Sequence, residues 1–408
     1  MKTVGIIAEY NPFHKGHQYM LEKAKAHAEA QRAVIVMSGS FVQRGDTAFF
    51  DKWTRSKAAL LNGADMVLEL PVLFAAANAE VFAAGGIKVM EDANMIDAIC
   101  FGSESGDLAS MQEAAKLMMN ETEEFQNLLK AHLDEGMSYP AARAKALETV
   151  SHINSEIISQ PNHILGLEYL KALERRGSSI TPYTIRRKGG AYNSPSLEGE
   201  FASAAAIRKA ILEENATDAL LQVPENTVDL WTKEISLGTA PASLENLTDA
   251  LHYKLRTTSA EELHEIFEVT EGLENRILSA IDDHYAMEDL LQYIKTKRYT
   301  RTKIQRILVH ILLDIKTKEV EYFLERKHLP YLRVLGFQKD HADILGELTE
   351  QAKCPVLTNL KKATEILDED GLHLLALEKL ATDLQALASP NPLYRAPNRD
   401  FTTPMAIL

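Results

Sequence analysis

The stretch KTVGIIAEYNPFHKGHQYMLEKAKAHAEAQRAVIVMSGS, residues 2–40, decides the fold. Residues 2–10 are apolar and β-rich. Residues 17–30 place apolar side chains at helical spacing among strong helix formers. Residues 33–40 form a second short apolar run that ends in Gly39 and Ser40. Strand, helix and strand in this order predict two parallel strands joined by a right-handed crossover. The pattern continues outward. Residues 51–64 read as a helix closed by Gly63, residues 65–70 as a strand stopped by Pro71, and residues 96–103 as a further strand. The predicted class is α/β, a doubly wound, Rossmann-like parallel sheet that takes ligands at the carboxyl ends of its strands.

Residues 107–177 read as mostly helical, with a loop at 158–162. Residues 178–188 are another strand candidate. Residues 189–201, rich in Gly, Ser and Pro, predict a mobile loop. A helix over 202–215 follows, with Ser203 near its start. From about residue 217 the runs become long and helical. The spacing predicts a nucleotide-binding domain over 1–215 and a mainly helical domain over 216–408. A small α/β element near 329–360 is expected within the second domain, built from strands at 329–337 and 354–360. The last residues read as extended.

Composition excludes several classes. With 408 residues the chain is too long for one typical core. No apolar run reaches eighteen residues, which argues against a membrane span. The N-terminal apolar run is short, contains Glu9 and lacks a cleavage site, so a signal peptide is not expected. Cys100 and Cys354 lie far apart and outside any C-x-x-C, which fits a reducing, cytoplasmic compartment and argues against zinc. Both are read as small buried hydrophobes. Lys and Arg total 44 against 58 Asp and Glu, a net charge of −14. Simple coating of nucleic acid is therefore excluded, and any such contact needs a local basic patch.

The chemistry concentrates in His14-Lys15-Gly16-His17, where the first strand gives way to the first helix. A helix N-terminus offers unpaired N–H groups and the positive end of the macrodipole. Gly16 lets phosphate approach the backbone. His14 and His17 can donate to phosphate oxygens and stabilise charge on a five-coordinate phosphorus and a departing pyrophosphate. Lys15 is a weaker helper. A turn with two incidental histidines is the bland alternative. Gly102, at a strand-to-loop turn, would let adenosine pack on the backbone, or is an ordinary turn glycine. Arg186 and Arg187 suit oxyanion contact, or are a surface pair. Ser203 is a second phosphate contact or a plain N-cap. Mg²⁺ is expected with ATP phosphates, but no carboxylate cage is visible. Asp46, Asp51 and Asp65 read as surface or turn residues.

NPFHKGH together with ASAAAIR resembles the nucleotidyltransferase superfamily. GIIAEYNPFHKGHQYML, MSGSFVQRGD, ADMVLELP, FGSES, QPNHILGLEYL, IRRK and FASAAAIRKAI, spread over residues 1–212, resemble the tRNA(Met) cytidine acetate ligase family. That resemblance implies a two-step reaction. Acetate and ATP give acetyl-adenylate and pyrophosphate. The acetyl group then passes to N4 of the wobble cytidine of elongator tRNA(Met), forming N4-acetylcytidine. It further implies ATP contacts at Ile7, Ala8, Glu9, Tyr10, Asn11, Pro12, Phe13, His14, Lys15, Gly16, His17, Gln18 and Tyr19, then at Gly102, Asn162 and Arg187. One position departs from the family pattern: Ala205 stands where a hydroxyl is usual.

KTKRYTRTKIQR, residues 295–306, gathers Lys295, Lys297, Arg298, Arg301, Lys303 and Arg306 around Tyr299 with no acidic residue between them. A basic helix with an aromatic can grip phosphates and stack on an unpaired base, and a solvated helix face is the alternative. If it grips RNA, it should lie on the side of His14 and His17. Two other functions stay open at this point: adenylylation of a small phosphorylated metabolite, and RNA binding without catalysis.

Overall fold

The structure is a computed structural model that describes residues 1–120, 122–137, 142, 145–146, 148–150, 160–187, 201–213, 216–270, 272–296 and 299–408. The expected loop at 189–201 lies outside the described residues except Phe201. Ten strands are described: β1 (Thr3–Ala8), β2 (Arg32–Ser38), β3 (Phe41–Val42), β4 (Asp46–Thr47), β5 (Met66–Leu70), β6 (Ala98–Ser103), β7 (Thr181–Arg186), β8 (Leu332–Phe337), β9 (Val356–Leu357) and β10 (Ala406–Ile407). The main sheet runs β10-β8-β5-β2-β1-β6-β7, with β9 paired to β8, while β3 and β4 form a separate hairpin.

From β1 the chain winds one way through β2 to β5, then returns to the opposite side of β1 for β6 and β7. These neighbours are parallel. The order therefore reverses between β1 and β6, and a crevice opens at their carboxyl ends. Alternate side chains of β2 serve opposite faces. Val34 and Val36 join the core under helices Ala79–Ala93 and Pro161–Arg176. Ala33, Ile35 and Met37 join the core under helices Lys15–Ala28 and Lys52–Leu61.

The end of the chain corrects an expectation. The α/β element near 329–360 is not a satellite of the helical half. Its strand β8 pairs antiparallel with β5, and β10 pairs parallel with β8. All five β5 residues are buried, and β8 covers what would otherwise be an apolar edge. The tail residues also include a helical turn at Arg399–Thr402 before β10.

Where β5 ends, the two halves meet in a sealed ion cluster. Lys52 Nζ lies 2.7 Å from Glu69 and 2.8 Å from Asp400. Arg333 Nη1 lies 3.1 Å from Glu69 and 2.6 Å from Asp400. Burial, reinforced by the Glu69 charge, pushes the Glu378 carboxyl up to about 8. Glu378 is thus protonated at neutral pH, leaving two cations against two carboxylates.

Cys100 is buried in β6 and Cys354 is half-buried, and desolvation pushes both thiols up to about 12. Asp51 and Asp65 are not surface residues. Asp51 caps helix Lys52–Leu61, and buried Asp65 accepts from Ala33 N–H at 2.7 Å. Among the described residues, no helix is long and apolar enough to cross a membrane.

Candidate active site

His14 is the N-cap of helix Lys15–Ala28. Its Nδ1 accepts from Gly16 N–H at 3.1 Å, and His17 Nδ1 accepts from His14 N–H at 3.3 Å. The two rings stack with centroids 3.6 Å apart. Because both Nδ1 atoms are acceptors, each neutral ring carries its proton on Nε2. Burial, with Arg187 and Arg208 adding repulsion, lowers His14 to about 3. Burial, then His14 and Arg187, hold His17 well below the usual imidazole range. Both rings are therefore neutral hydrogen-bond donors at neutral pH. Gly16 is required by this packing, since a Cβ there would lie 2.9 Å from His14 Cε1 and 3.4 Å from Phe201 Cβ.

The turn before the helix is held rigidly. Tyr10 adopts a left-handed φ of 48° and packs edge-on against Phe13, with ring centroids 4.7 Å apart. A non-glycine residue in that region is strained, and the surrounding packing must enforce it. The fully buried Arg55 donates to the carbonyls of Glu9 at 2.6 Å, Ser38 at 2.9 Å, Phe50 at 3.0 Å and Gly39. One guanidinium thus ties together the carboxyl ends of β1 and β2. Nothing in the sequence reading marks Arg55, because its partners are backbone atoms far apart in the chain.

The histidines open on a cleft of about 1500 Å³, bordering solvent space included. On its β6 side, a Cβ on Gly102 would lie 3.1 Å from Arg187 Cγ. Arg187 donates to Asn162 Oδ1 at 3.1 Å, and Asn162 Nδ2 donates to Glu104 at 2.7 Å. Glu104 also accepts the Asn162 and His163 backbone N–H groups. It thereby occupies the start of helix Pro161–Arg176. On the other side, Ser203 caps helix Ala204–Leu212 by accepting from Ala206 N–H at 3.1 Å. Ala205, the second residue of that helix, also lines the cleft, and Arg208 donates to the Asn11 carbonyl at 2.6 Å. Four arginines (Arg44, Arg186, Arg187 and Arg208) and one carboxylate, Glu9, line the cleft. With both histidines neutral, this is a positively charged cavity in an acidic protein, suited to a polyanion.

Of the residues singled out from sequence, Ile7, Ala8, Glu9, Tyr10, Asn11, His14, Gly16, His17, Tyr19, Gly102, Asn162, Arg186, Arg187 and Ser203 line this cleft. Pro12 and Phe13 are buried behind it. Lys15 and Gln18 turn away and line an adjoining groove. Sequence reasoning missed the apolar wall of Phe82, Phe101, Leu165 and Tyr169. It also missed Gln43, Arg44 and Arg208. The signal for the first pair was present, since Phe41-Val42 followed by Gln-Arg-Gly-Asp is a hairpin turn. Gln43 N–H donates to Glu9 Oε1 at 2.9 Å, which locks that hairpin onto the end of β1. Asp46, read as a surface or turn residue, accepts from Thr47 and Leu244 N–H groups.

The basic segment is not one helix. A helix ends at Ile294 with Lys295 as its C-cap, and the next spans Arg301–Leu313 with Thr300 as N-cap. Lys297 and Arg298 lie outside the described residues. Tyr299 is 9 % exposed, and its hydroxyl accepts from Thr270, so it offers no open stacking face. Arg306 is held by Glu268 at 2.7 and 2.9 Å, and Arg301 by Glu288 at 2.6 Å. Lys303 lies 5.0 Å from the Tyr299 ring centroid. Acidic partners distant in sequence defeat the uninterrupted basic pattern. The helix does pack beside the cleft: a Cβ on Gly45, in the Gln43–Arg44 hairpin, would lie 2.2 Å from Arg306 N.

The family model described as HIGH Nucleotidyl Transferase matches residues 1–400. A tRNA(Met) cytidine acetate ligase of Acetivibrio thermocellus is 41% identical, covering 100% of both chains. The chain belongs to this family. Another ligase of the same name, from Caldicellulosiruptor saccharolyticus, is 42% identical over 95% of this chain and 94% of its own. The crystal structure of Thermotoga maritima TmcAL in its apo form superposes with a TM-score of 0.94 at 33% identity, covering 100% of each chain. The Thermotoga maritima TmcAL structure bound with alpha-thio ATP gives 0.91 at 32%, again over 100% of each. The chain is thus a ligase-family, ATP-using enzyme with a nucleotidyltransferase core.

Proposed function

We propose that this protein activates acetate with ATP and transfers the acetyl group to N4 of the wobble cytidine of elongator tRNA(Met), in the cytoplasm. In the first step an acetate oxygen attacks the α-phosphorus and pyrophosphate leaves. In the second, the cytidine amine attacks the acetyl carbonyl, loses a proton, and AMP leaves. The observation that carries the reading is the neutral His14–His17 pair at a helix N-terminus, inside a cleft rich in arginine. Neutral Nε2–H donors cannot act as general acids with ordinary imidazolium strength. They suit the stabilisation of charge that builds on phosphoryl oxygens as pyrophosphate departs.

In this reading the triphosphate lies against Gly16, His14, His17 and Arg208. Gly102, Asn162 and Arg187 hold the nucleoside end, with Arg186 at the rim. Ser203 acts through the helix it caps. Its hydroxyl already accepts a backbone N–H, so Ala205 removes a second hydroxyl without removing the cap. Among the described residues no group of three or more His, Cys, Asp or Glu gathers as a metal cage. Mg²⁺ bound to the ATP phosphates would neutralise part of their charge in the cleft. Lys295 and Lys303 give the neighbouring helical half a modest basic rim for RNA.

The test is nucleoside mass spectrometry of tRNA(Met) treated with protein, ATP and isotopically labelled acetate. Label in N4-acetylcytidine supports the reading. Label-free tRNA, with adenylylation of a phosphorylated metabolite instead, sinks it.

A further inference from the structure

Lys15 and Gln18 each follow one of the two histidines in sequence yet face away from the ATP cleft. The reason is helical geometry. Lys15, Gln18, Tyr19 and Glu22 fall at i, i+3, i+4 and i+7, one stripe along the helix Lys15–Ala28. The stripe faces Phe201 and Pro224-Glu225-Asn226 across an open groove of about 1040 Å³. Tyr19 and Phe201 belong to both the groove and the ATP cleft.

The opposite wall is firmly built. Lys15 N–H donates to the Gln222 carbonyl at 3.0 Å, and Asn226 Nδ2 to the Leu61 carbonyl at 3.0 Å. Thr227 hydrogen-bonds the Pro224 carbonyl at 2.8 Å and receives the indole N–H of buried Trp231 at 3.1 Å. The shared aromatic pair sits at the phosphate turn. The Tyr19 and Phe201 ring centroids are 5.5 Å apart, Lys23 Nζ lies 5.7 Å from the Tyr19 centroid, and Phe201 Cβ is 3.4 Å from where a Gly16 Cβ would stand.

Resting on the function proposed above, we infer that this groove is the acceptor-RNA groove. The target cytosine reaches the adenylate past the Tyr19–Phe201 wall, and the adjoining nucleotide lies along the Lys15–Glu22 stripe. The chemistry of the lining selects this occupant. Aromatic faces stack on unpaired bases. Lys15 and Lys23 attract phosphate. Glu22 and Glu225 repel phosphate but accept hydrogen bonds from exocyclic base amines, as carboxylates do from cytosine N4. The groove therefore takes base edges of a single-stranded segment, with the backbone held at its lysine side. A continuous duplex would set phosphates against both carboxylates.

The test places the photo-crosslinker p-benzoylphenylalanine at exposed Glu22, with the same group at exposed Lys57 on another helix as control. Irradiation with tRNA(Met) is expected to link the Glu22 position to the anticodon loop and the Lys57 position to nothing. A Lys15→Glu variant provides a second measurement. It is expected to raise the KM for tRNA roughly tenfold, while the KM for acetate in ATP–pyrophosphate exchange stays within twofold. No crosslink above the Lys57 control, a crosslink mapping outside the anticodon loop, or an unchanged tRNA KM would overturn the groove assignment alone. Absence of acetate-dependent exchange in the unmodified protein would instead remove the reading beneath it.

Discussion

Two charged regions share the carboxyl edge of one sheet and behave in opposite ways. Beyond β5, the side chains of Lys52, Glu69, Arg333 and Asp400 are at most 6% exposed and neutralise one another. Helix Glu369–Leu387 seals them in: Ser40 Oγ donates to Thr382 at 3.2 Å, and Gln385 to the Ala48 carbonyl at 2.7 Å. Beyond β1 and β6, four arginines line a cleft with a single carboxylate, beside two histidines kept neutral. The strand order reverses at the second place, and there the fold leaves a crevice at the carboxyl ends of the strands. At the first, the last eighty residues of the chain close the edge. Charge in the sequence does not separate the regions. What separates them is that the first gathers cations and carboxylates in matching numbers in a sealed cluster, while the second sets an excess of arginines around an open crevice.

The comparison breaks if the sealed cluster proves functional or the open cleft proves structural. Lys52→Met should cost about 3–5 kcal/mol of stability, because it leaves buried carboxylates without a cation. Denaturant unfolding reads that loss, and the KM for ATP of the folded fraction should stay near wild type. His14→Ala should show the reverse balance. Pyrophosphate exchange should fall about 10²–10³-fold, as for the loss of a positioned donor, while stability drops only about 1 kcal/mol for the missing cap.

Glu378 sharpens the comparison through pH. Its folded value is raised from 4.5 to about 8, so its contribution to stability is full below pH 4.5 and is lost as pH rises through 8. In Glu378→Gln that decline should vanish. The difference between variant and wild type should grow with pH by at most about 1.4 kcal/mol per unit between these limits. Equal pH slopes in thermal unfolding would show that Glu378 is ionised in the folded state. The smallest effect belongs to Arg301→Ala. Its partner Glu288 and it are both about half exposed, at 53% and 40%. The loss should stay under about 1 kcal/mol, with exchange unchanged.

The sequence made the β1–helix–β2 unit and the histidine turn legible because both are local: a period-two run, a period-3.6 run and a glycine between them. What it hid was long-range. Strand β8 was readable as a strand, but not as the partner of β5, whose Val67 lies 269 residues before its register partner Gly336. Helix Ala79–Ala93 carries Gly85-Gly86 at its centre, a poor helix signal. The glycines are there because Cβ atoms would lie 2.4 Å from Phe74 and from Ile7. The basic run 295–306 misled for the same reason, since Glu268 and Glu288 lie outside its window. Arg208 stood beside a recognised motif, yet its reach to the Asn11 carbonyl is visible only in the fold.

The cleft around His14 and His17 is proposed to join acetate to the adenylyl group of ATP. ATP–pyrophosphate exchange, run with and without acetate and in the absence of tRNA, reads that step alone. Exchange is expected to require acetate and to fall about 10²–10³-fold in His14→Ala. Exchange that runs equally well without acetate, or that survives the substitution unchanged, would contradict it.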